Sequence, residues 1–253
     1  MRMRRRPCRA VLRTVLALST LLGKPVALHG IRRGRPRAGL QAQHLASVHL
    51  AVDLSGGSAT GAALLSTDVT FRPGRLRGGA ATADPGTAGS VALLIQVREG
   101  EGDACRRGWP IADPSRRVRW IGFLRQSALP CTLYAPQESV LTLRGGTNAK
   151  MAPPVDYMAR VLLPTLRRLC GVDVQLDLVR RGFFPRGGGE LRLTARPLAA
   201  PLPPLRLEAK GDVVAVRTYV YSAGSLPPSI AARIAAAARV RSVRWSRGLP
   251  LHR

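Results

Sequence analysis

Apolar and polar residues alternate along this chain with two different periods, and the switches between them mark its elements. A period of two, with Val174, Leu176 and Leu178 apolar and Asp173, Gln175 and Asp177 between, predicts a strand. A second strand is predicted by Leu191, Leu193 and Ala195. A period near 3.6, with Val155, Met158, Leu162, Leu166 and Leu169 on one stripe, predicts a helix over 156–169 that Gly171 stops. The same reading predicts a helix over 11–22, ended at Gly23-Lys24-Pro25, and a strand over 25–31. It predicts a helix over 40–52 with Leu45, Val48 and Val52 on one face, and a strand over 67–72 closing in Pro73-Gly74. A helix over 86–97 and strands over 131–135 and 139–144 complete this part. After Pro197, the linker LAAPLPPL leads to a strand-like segment over 213–221 and an Ala-rich helix over 228–240. Helices and strands thus alternate in units of two helices with several strands, which argues for a repeated α/β architecture.

Between the two period-two segments lies Arg181-Gly182-Phe183-Phe184-Pro185-Arg186-Gly187-Gly188-Gly189-Glu190. A turn with three consecutive glycines lets the backbone take positive φ and approach another chain or a ligand. The flanking arginines give that ligand a reason to be anionic. A plain glycine-rich hairpin is the alternative on turn statistics.

Charge sharpens the picture. Lys and Arg number 40 against 14 Asp and Glu across 253 residues, a formal charge of +26. Clustered positive charge binds phosphate backbones through counterion release, so a polyanionic partner is expected. Only Lys24, Lys150 and Lys210 are lysines. A skew of that kind also has a compositional origin, so the positions of the arginines carry more than their number. Cys8, Cys105, Cys131 and Cys170 form no C-x-x-C pair and no disulfide framework, which points to a reducing compartment and no zinc site. His29, His44, His49 and His252 show no metal-ligand spacing and are expected in structural or surface roles. The basic front MRMRRRPCRA and the apolar run after it imitate a targeting peptide, yet Arg13 and the shortness of the run exclude a bilayer span.

The segments Val11-Leu12-Arg13, LLGKPV, IRRGRPRAGLQAQHL, STDVTFRPGRLRGG, GTAGSVALLIQ, LRGGTNAKMAPPVDY and RGFFPRGGGE follow one another in order. Together they resemble the RNA 3'-terminal phosphate cyclase family, over residues 11–97 and about 128–225. The resemblance implies units of two helices on a four-stranded sheet, with a small α/β domain inserted into the large one. The expected division is an atypical basic N-terminus over 1–10, a large domain over 11–197 and a partial small domain over 198–253.

It also implies a chemistry. A histidine of the enzyme attacks the α-phosphate of ATP, AMP passes to the RNA 3'-phosphate, and the neighbouring 2'-hydroxyl closes a 2',3'-cyclic phosphate. Adenylation turns a poor leaving oxygen into part of a good one. The remainder is positioning and charge neutralisation. Arg13, Arg32, Arg35 and Gln43 fall where the resemblance places the terminal-phosphate contacts. Arginine suits that role, because its planar fork binds phosphate bidentately. Thr147, Met151, Pro153 and Pro154 fall in a segment resembling the adenylate-contacting loop, with Pro153 expected to pack on the nucleotide. Gly86 and Thr87 open the predicted helix over 86–97, where main-chain N–H groups would meet a phosphate; close helix–sheet packing is the equal alternative. Gly187, Gly188 and Gly189 form the second phosphate-proximal turn. No Walker-type motif occurs. The implied partners are ATP, a divalent metal (Mg or Mn) and an RNA ending in a 3'-phosphate, with no membrane. The implied compartment is nucleus or cytosol, and an organellar address in the basic N-terminus is the alternative.

Three departures bear on activity. MRMRRRPCRA stands where the family has a glycine-rich opening with an acidic residue. Residues 98–127, rich in arginine and carrying Trp109 and Trp120, interrupt a helix-to-strand connection. The nucleophilic histidine is expected beyond Arg253, since the surroundings of His252 do not match. The competing expectations are a non-catalytic, cyclase-like ribosome-assembly factor and an RNA-binding fragment without turnover.

Overall fold

The computed structural model describes residues 9–95, 128–149, 152–204 and 215–247. The chain divides into two compact units, Met1–Leu205 and Arg206–Arg253. In the first unit the order is α1 (Arg9–Leu22), β1 (Val26–Leu28), α2 (Ala42–Ser55), β2 (Ser58–Thr60), β3 (Val69–Arg72), β4 (Gly79–Ala83) and α3 (Val91–Ile95). Then follow α4 (Leu129–Leu133), β5 (Ser139–Gly145), α5 (155–170), β6 (Val174–Arg180) and β7 (Gly189–Ala195). The strands form two sheets, β1-β3-β2 and β4-β5-β7-β6. All pairs are antiparallel except the parallel pair of β4 with β5. Among the described residues the first sheet therefore has three strands where four were expected.

Helices α1 and α2 are buried on two sides, and this joins the two sheets into one unit. Leu12 and Leu16 of α1, with Val48 and Ala51 of α2, pack with Leu28, Val69 and Phe71 of the first sheet. Ala17 of α1, with Ala46, Leu50 and Leu54 of α2, packs with Leu141, Leu143, Leu191 and Leu193 of the second. At its start, α2 is closed by the Gln41 N–H, which donates to His44 Nδ1 at 3.1 Å. His44 is buried and holds that cap, the structural role expected of it.

Helix α5 carries its predicted stripe, with Val155, Met158, Leu162 and Leu166 buried. It is built from Val155–Tyr157, a π-helical turn Met158–Leu162, and Leu163–Cys170. Pro164 explains the wide turn. Proline has no N–H for the ladder and its ring would press on the carbonyl four residues back, and a π-turn opens that space.

Several predicted elements change. Residues 131–135 were expected as a strand, but Leu129–Leu133 is a helix with every residue buried. A short, fully buried run has no period to distinguish the two forms, and Pro130 is tolerated in a first helical turn. The helix expected over 86–97 begins only at Val91, and 86–90 is a turn. Strands β2 and β4 were not anticipated. Their sequences, SAT and GAATA, lack the large side chains that give a strand its signal.

In the second unit, α6 (Pro228–Arg247) extends the predicted Ala-rich helix. The expected strand over 213–221 is not formed in its described part, 215–221. Its side chains have strand propensity, but among the described residues no strand pairs with it, and a lone strand is not stable in water. The linker after Pro197 begins inside the first unit, because the Leu198 N–H donates to the Leu133 carbonyl at 2.8 Å. Among the described residues, no helix is long and apolar enough to cross a membrane. Residues 1–8, 98–127 and 248–253, including His252, lie outside the described residues.

Candidate functional site

Of the predicted site residues, Arg13, Gln43, Thr87 and Gly187 are linked by contacts among α1, the start of α2, the turn over 84–90 and the β6–β7 hairpin. Arg13 is 3 % exposed on the stripe of α1, an unusual place for a guanidinium. Its Nε donates to Ser47 Oγ at 3.2 Å, and Ser47 Oγ donates to the Gln43 carbonyl at 3.0 Å. The spacing of Gln43 and Ser47, one helical turn apart on α2, makes the link possible. From Gln43 the side-chain Nε2 reaches the Ser90 carbonyl at 3.5 Å. Arg13 and Gln43, predicted separately from α1 and α2, are thus joined through Ser47 and carried on to the 84–90 turn.

Arg32 and Arg35 lie in the loop between β1 and α2. Arg32 takes φ +57, and its carbonyl accepts the Arg35 N–H at 3.0 Å. Arg32 is half-buried and Arg35 is exposed. The loop is fastened to its neighbour over 61–68. Ile31 N–H donates to the Thr67 carbonyl, Leu40 N–H to that of Ser66, and Leu65 N–H to that of Leu40, all within 2.7–2.9 Å. His29 adds a side-chain tie, with Nδ1 2.8 Å from Asp68 Oδ1. The Thr67 hydroxyl and His29, both hydrogen-bonded to Asp68, hold that carboxyl below its ordinary pKa. An ionised Asp68 only accepts, so Nδ1 of His29 carries the proton in this contact.

The hairpin turn is packed main chain against main chain. A Cβ on Gly182 would lie 2.1 Å from Gly189 N and 2.4 Å from the Gly145 and Gly187 carbonyl oxygens. On Gly187 it would lie 2.9 Å from Ala88 Cα and from the Thr87 carbonyl oxygen. The glycines thus bring the hairpin against the 84–90 turn and the end of β5. Gly188, by contrast, faces open space.

This packing reassigns some of the predicted contacts. Two N–H groups of the 84–90 turn are engaged within the chain, Gly86 with Asp84 Oδ1 at 2.7 Å and Gly89 with Thr87 Oγ1 at 3.3 Å, and just after it the Val91 N–H donates to the Gly146 carbonyl at 3.0 Å. A Cβ on Gly86 would meet open space, whereas one on Gly89 would lie 3.3 Å from Gln43 Cβ. Thr147 is fully buried. Its N–H donates to the Gly182 carbonyl at 2.8 Å, and its hydroxyl accepts the Gly182 N–H at 3.2 Å. It latches the hairpin and so shapes the neighbouring segment from within. Pro153 is half-buried and Pro154 exposed at the start of α5. Met151 lies outside the described residues.

Three features were missed in the sequence. Ser47 is one of many serines until Arg13 is seen against it. Ser90 is buried beside Gln43, and its Oγ has no hydrogen-bond partner among the described residues. Arg181, read as a ligand-facing arginine, is held by Asp156 in a bidentate pair, Nη1–Oδ2 2.8 Å and Nη2–Oδ1 2.7 Å. That pair ties the hairpin to α5, and no local pattern reports a contact across 25 residues. Among the described residues, no group of three His, Cys, Asp or Glu side chains gathers into a metal site.

A family profile described as RNA 3'-terminal phosphate cyclase matches residues 8–99 and 105–242. A Pseudomonas fluorescens protein named RNA 3'-terminal phosphate cyclase is 39% identical over 223 residues, covering 88% of this chain and 55% of that protein. A protein of the same name from Archaeoglobus fulgidus is 36% identical over 229 residues, covering 90% of this chain and 59% of its own length. One from Drosophila melanogaster is 36% identical over 220 residues, covering 87% and 52%. The chain spans about half the length of the curated relatives it matches.

Proposed function

The chain belongs to the RNA 3'-terminal phosphate cyclase family, and we propose that it binds the 3'-phosphate end of an RNA for ATP-dependent conversion to a 2',3'-cyclic phosphate. The observation that carries this reading is the buried Arg13–Ser47 bond, continued through the half-buried Gln43 to Ser90. A guanidinium is costly to bury and is kept where a fixed, planar cation has work to do. Arg13 and Gln43 form the rigid part of the phosphate site, and Arg32 and Arg35 close on it from the β1–α2 loop. Two or more arginines spread the charge of a phosphate dianion and hold it for attack by the adjacent 2'-hydroxyl.

ATP supplies the activating adenylyl group, through enzyme–AMP and RNA-adenylate intermediates. Pro153 and Pro154 give the nucleotide an apolar edge at the start of α5, and Thr147 holds their segment to the hairpin. A divalent ion at this site would be held chiefly by phosphate oxygens and water, the habit of magnesium beside nucleotides. Of the three described histidines, His44 is committed to the α2 cap, His29 to Asp68, and His49 is exposed on α2. The nucleophile is not assigned to any of them.

The test is the double substitution Arg32→Ala with Arg35→Ala, read as RNA affinity with a 3'-phosphate against a 3'-hydroxyl end. The expected result is loss of the preference for the phosphate, with a smaller change in affinity for the hydroxyl end. A preference that survives the double change removes both arginines from the site.

A further inference from the structure

Phe184 is 86 % exposed, whereas Phe71 is fully buried and Phe183 partly so. An aromatic side chain left in solvent is unremarkable in a loose loop, but this one stands on a fixed turn. Gly187 N–H donates to the Phe183 carbonyl at 2.8 Å, Arg180 Nε donates to the Gly188 carbonyl at 2.7 Å, and Thr147 latches Gly182. The backbone under Phe184 is thus ordered before any ligand arrives, so little conformational entropy is lost on binding. Its neighbours Pro185, Arg186 and Gly188 are also exposed. Arg186 is engaged with no side chain among the described residues, whereas Arg181 is held by Asp156.

We propose that this turn is a stacking platform: Phe184 receives a base near the 3' end of a bound single-stranded RNA, and Arg186 meets the adjoining phosphate. The inference rests on the reading that the chain binds RNA ends. Two observations favour a nucleobase over an apolar protein surface. A protein interface needs a contiguous apolar patch, and the exposed apolar side chains of this turn are Phe184 and Pro185, followed at once by Arg186 and the glycines. A flat ring beside a cation is the arrangement that holds single-stranded nucleic acid without reading its sequence. Position supports it as well. Gly187, three residues on, abuts Thr87 and Ala88, and the same turn runs to Ser90, which Gln43 reaches. The aromatic ring therefore stands on the segment that borders the phosphate site.

The experiment uses the full 253-residue chain and fluorescence anisotropy with a short 3'-phosphorylated oligoribonucleotide. A second oligonucleotide keeps the backbone and the 3'-phosphate but is abasic at its last positions. Phe184→Ala is expected to weaken binding of the unmodified RNA about 5- to 150-fold, the range of one base–aromatic stack, and to leave the abasic RNA nearly unchanged. Phe184→Trp should keep or raise the affinity. Equal losses on both RNAs, or no loss on either, overturn the platform. The two readings fail separately. A wild type that prefers the 3'-phosphate but shows no base-dependent loss in Phe184→Ala sinks the stacking proposal alone. A wild type indifferent to the 3'-phosphate sinks the end-recognition reading, and a base-dependent loss would then place Phe184 on an internal stretch of RNA, overturning its placement at the 3' end.

Discussion

Replacing Gly182 with alanine tests whether the hairpin is held main chain to main chain. The added methyl would stand 2.1 Å from Gly189 N and 2.4 Å from two carbonyl oxygens, those of Gly145 and Gly187. All three neighbours are backbone, so no side chain can rotate away. Relief requires Gly182 to withdraw by about an ångström, which stretches its N–H and C=O bonds to Thr147 and shifts the start of β7. Overpacking a tight site costs about 1–3 kcal/mol, and each hydrogen bond lost about 1 kcal/mol. The expected destabilisation is roughly 3–5 kcal/mol, a large part of a typical domain's total. Gly188→Ala is the matched control. Its φ of +67 makes a side chain unfavourable, but the space is open, so only the backbone term of about 1–2 kcal/mol applies. Urea unfolding followed by circular dichroism measures both. If Gly182→Ala falls within about 1 kcal/mol of Gly188→Ala, the close approach that shapes the site is refuted.

Three further outcomes are expected. Ser47→Ala removes the acceptor of Arg13 Nε inside the core, so it should cost about 1–3 kcal/mol and reduce the preference for a 3'-phosphate more than overall RNA affinity, both measurable on one preparation. The Cys131 thiol is pushed up to about 12 by burial, so site-resolved mass spectrometry after alkylation near pH 8 should find it unmodified in the native chain and modified in denaturant. Equal labelling in both states would contradict its burial. Asp68 is held below its ordinary value of 3.8, so its share of stability is present above that pH and lost as the pH falls below it; Asp68→Asn should lose to wild type at pH 6 and converge with it in acid, and a constant gap would contradict the assignment.

Where a segment buries one face and exposes the other, its period predicted its form, as in α5, β6 and β7. Where burial was complete, as in α4, or the residues were small, as in β4, the pattern held no face to read. The site follows the same rule. Arg13 and Gln43 were placed by resemblance and are joined in the structure, but the groups that orient them are distant in sequence. Ser47 lies 34 residues from Arg13, and Asp156 lies 25 from Arg181. Arg181 was misjudged because an arginine in a glycine-rich turn has the same sequence whether it faces a ligand or a carboxylate. Thr147 was read as a nucleotide contact because burial at a loop's root is not written in the loop.

The central claim is that this chain recognises the phosphate at an RNA 3' end and not the polyanion alone. A formal charge of +26 would draw any polyanion, so affinity by itself decides nothing. The direct measurement is a competition titration of the 253-residue chain with two oligoribonucleotides identical except for a 3'-phosphate or a 3'-hydroxyl, at physiological salt. End recognition through the Arg13–Gln43 pair predicts tighter binding of the phosphorylated end by about tenfold or more, on the scale of one charge-assisted bidentate contact. Equal affinities would contradict the account and leave only charge.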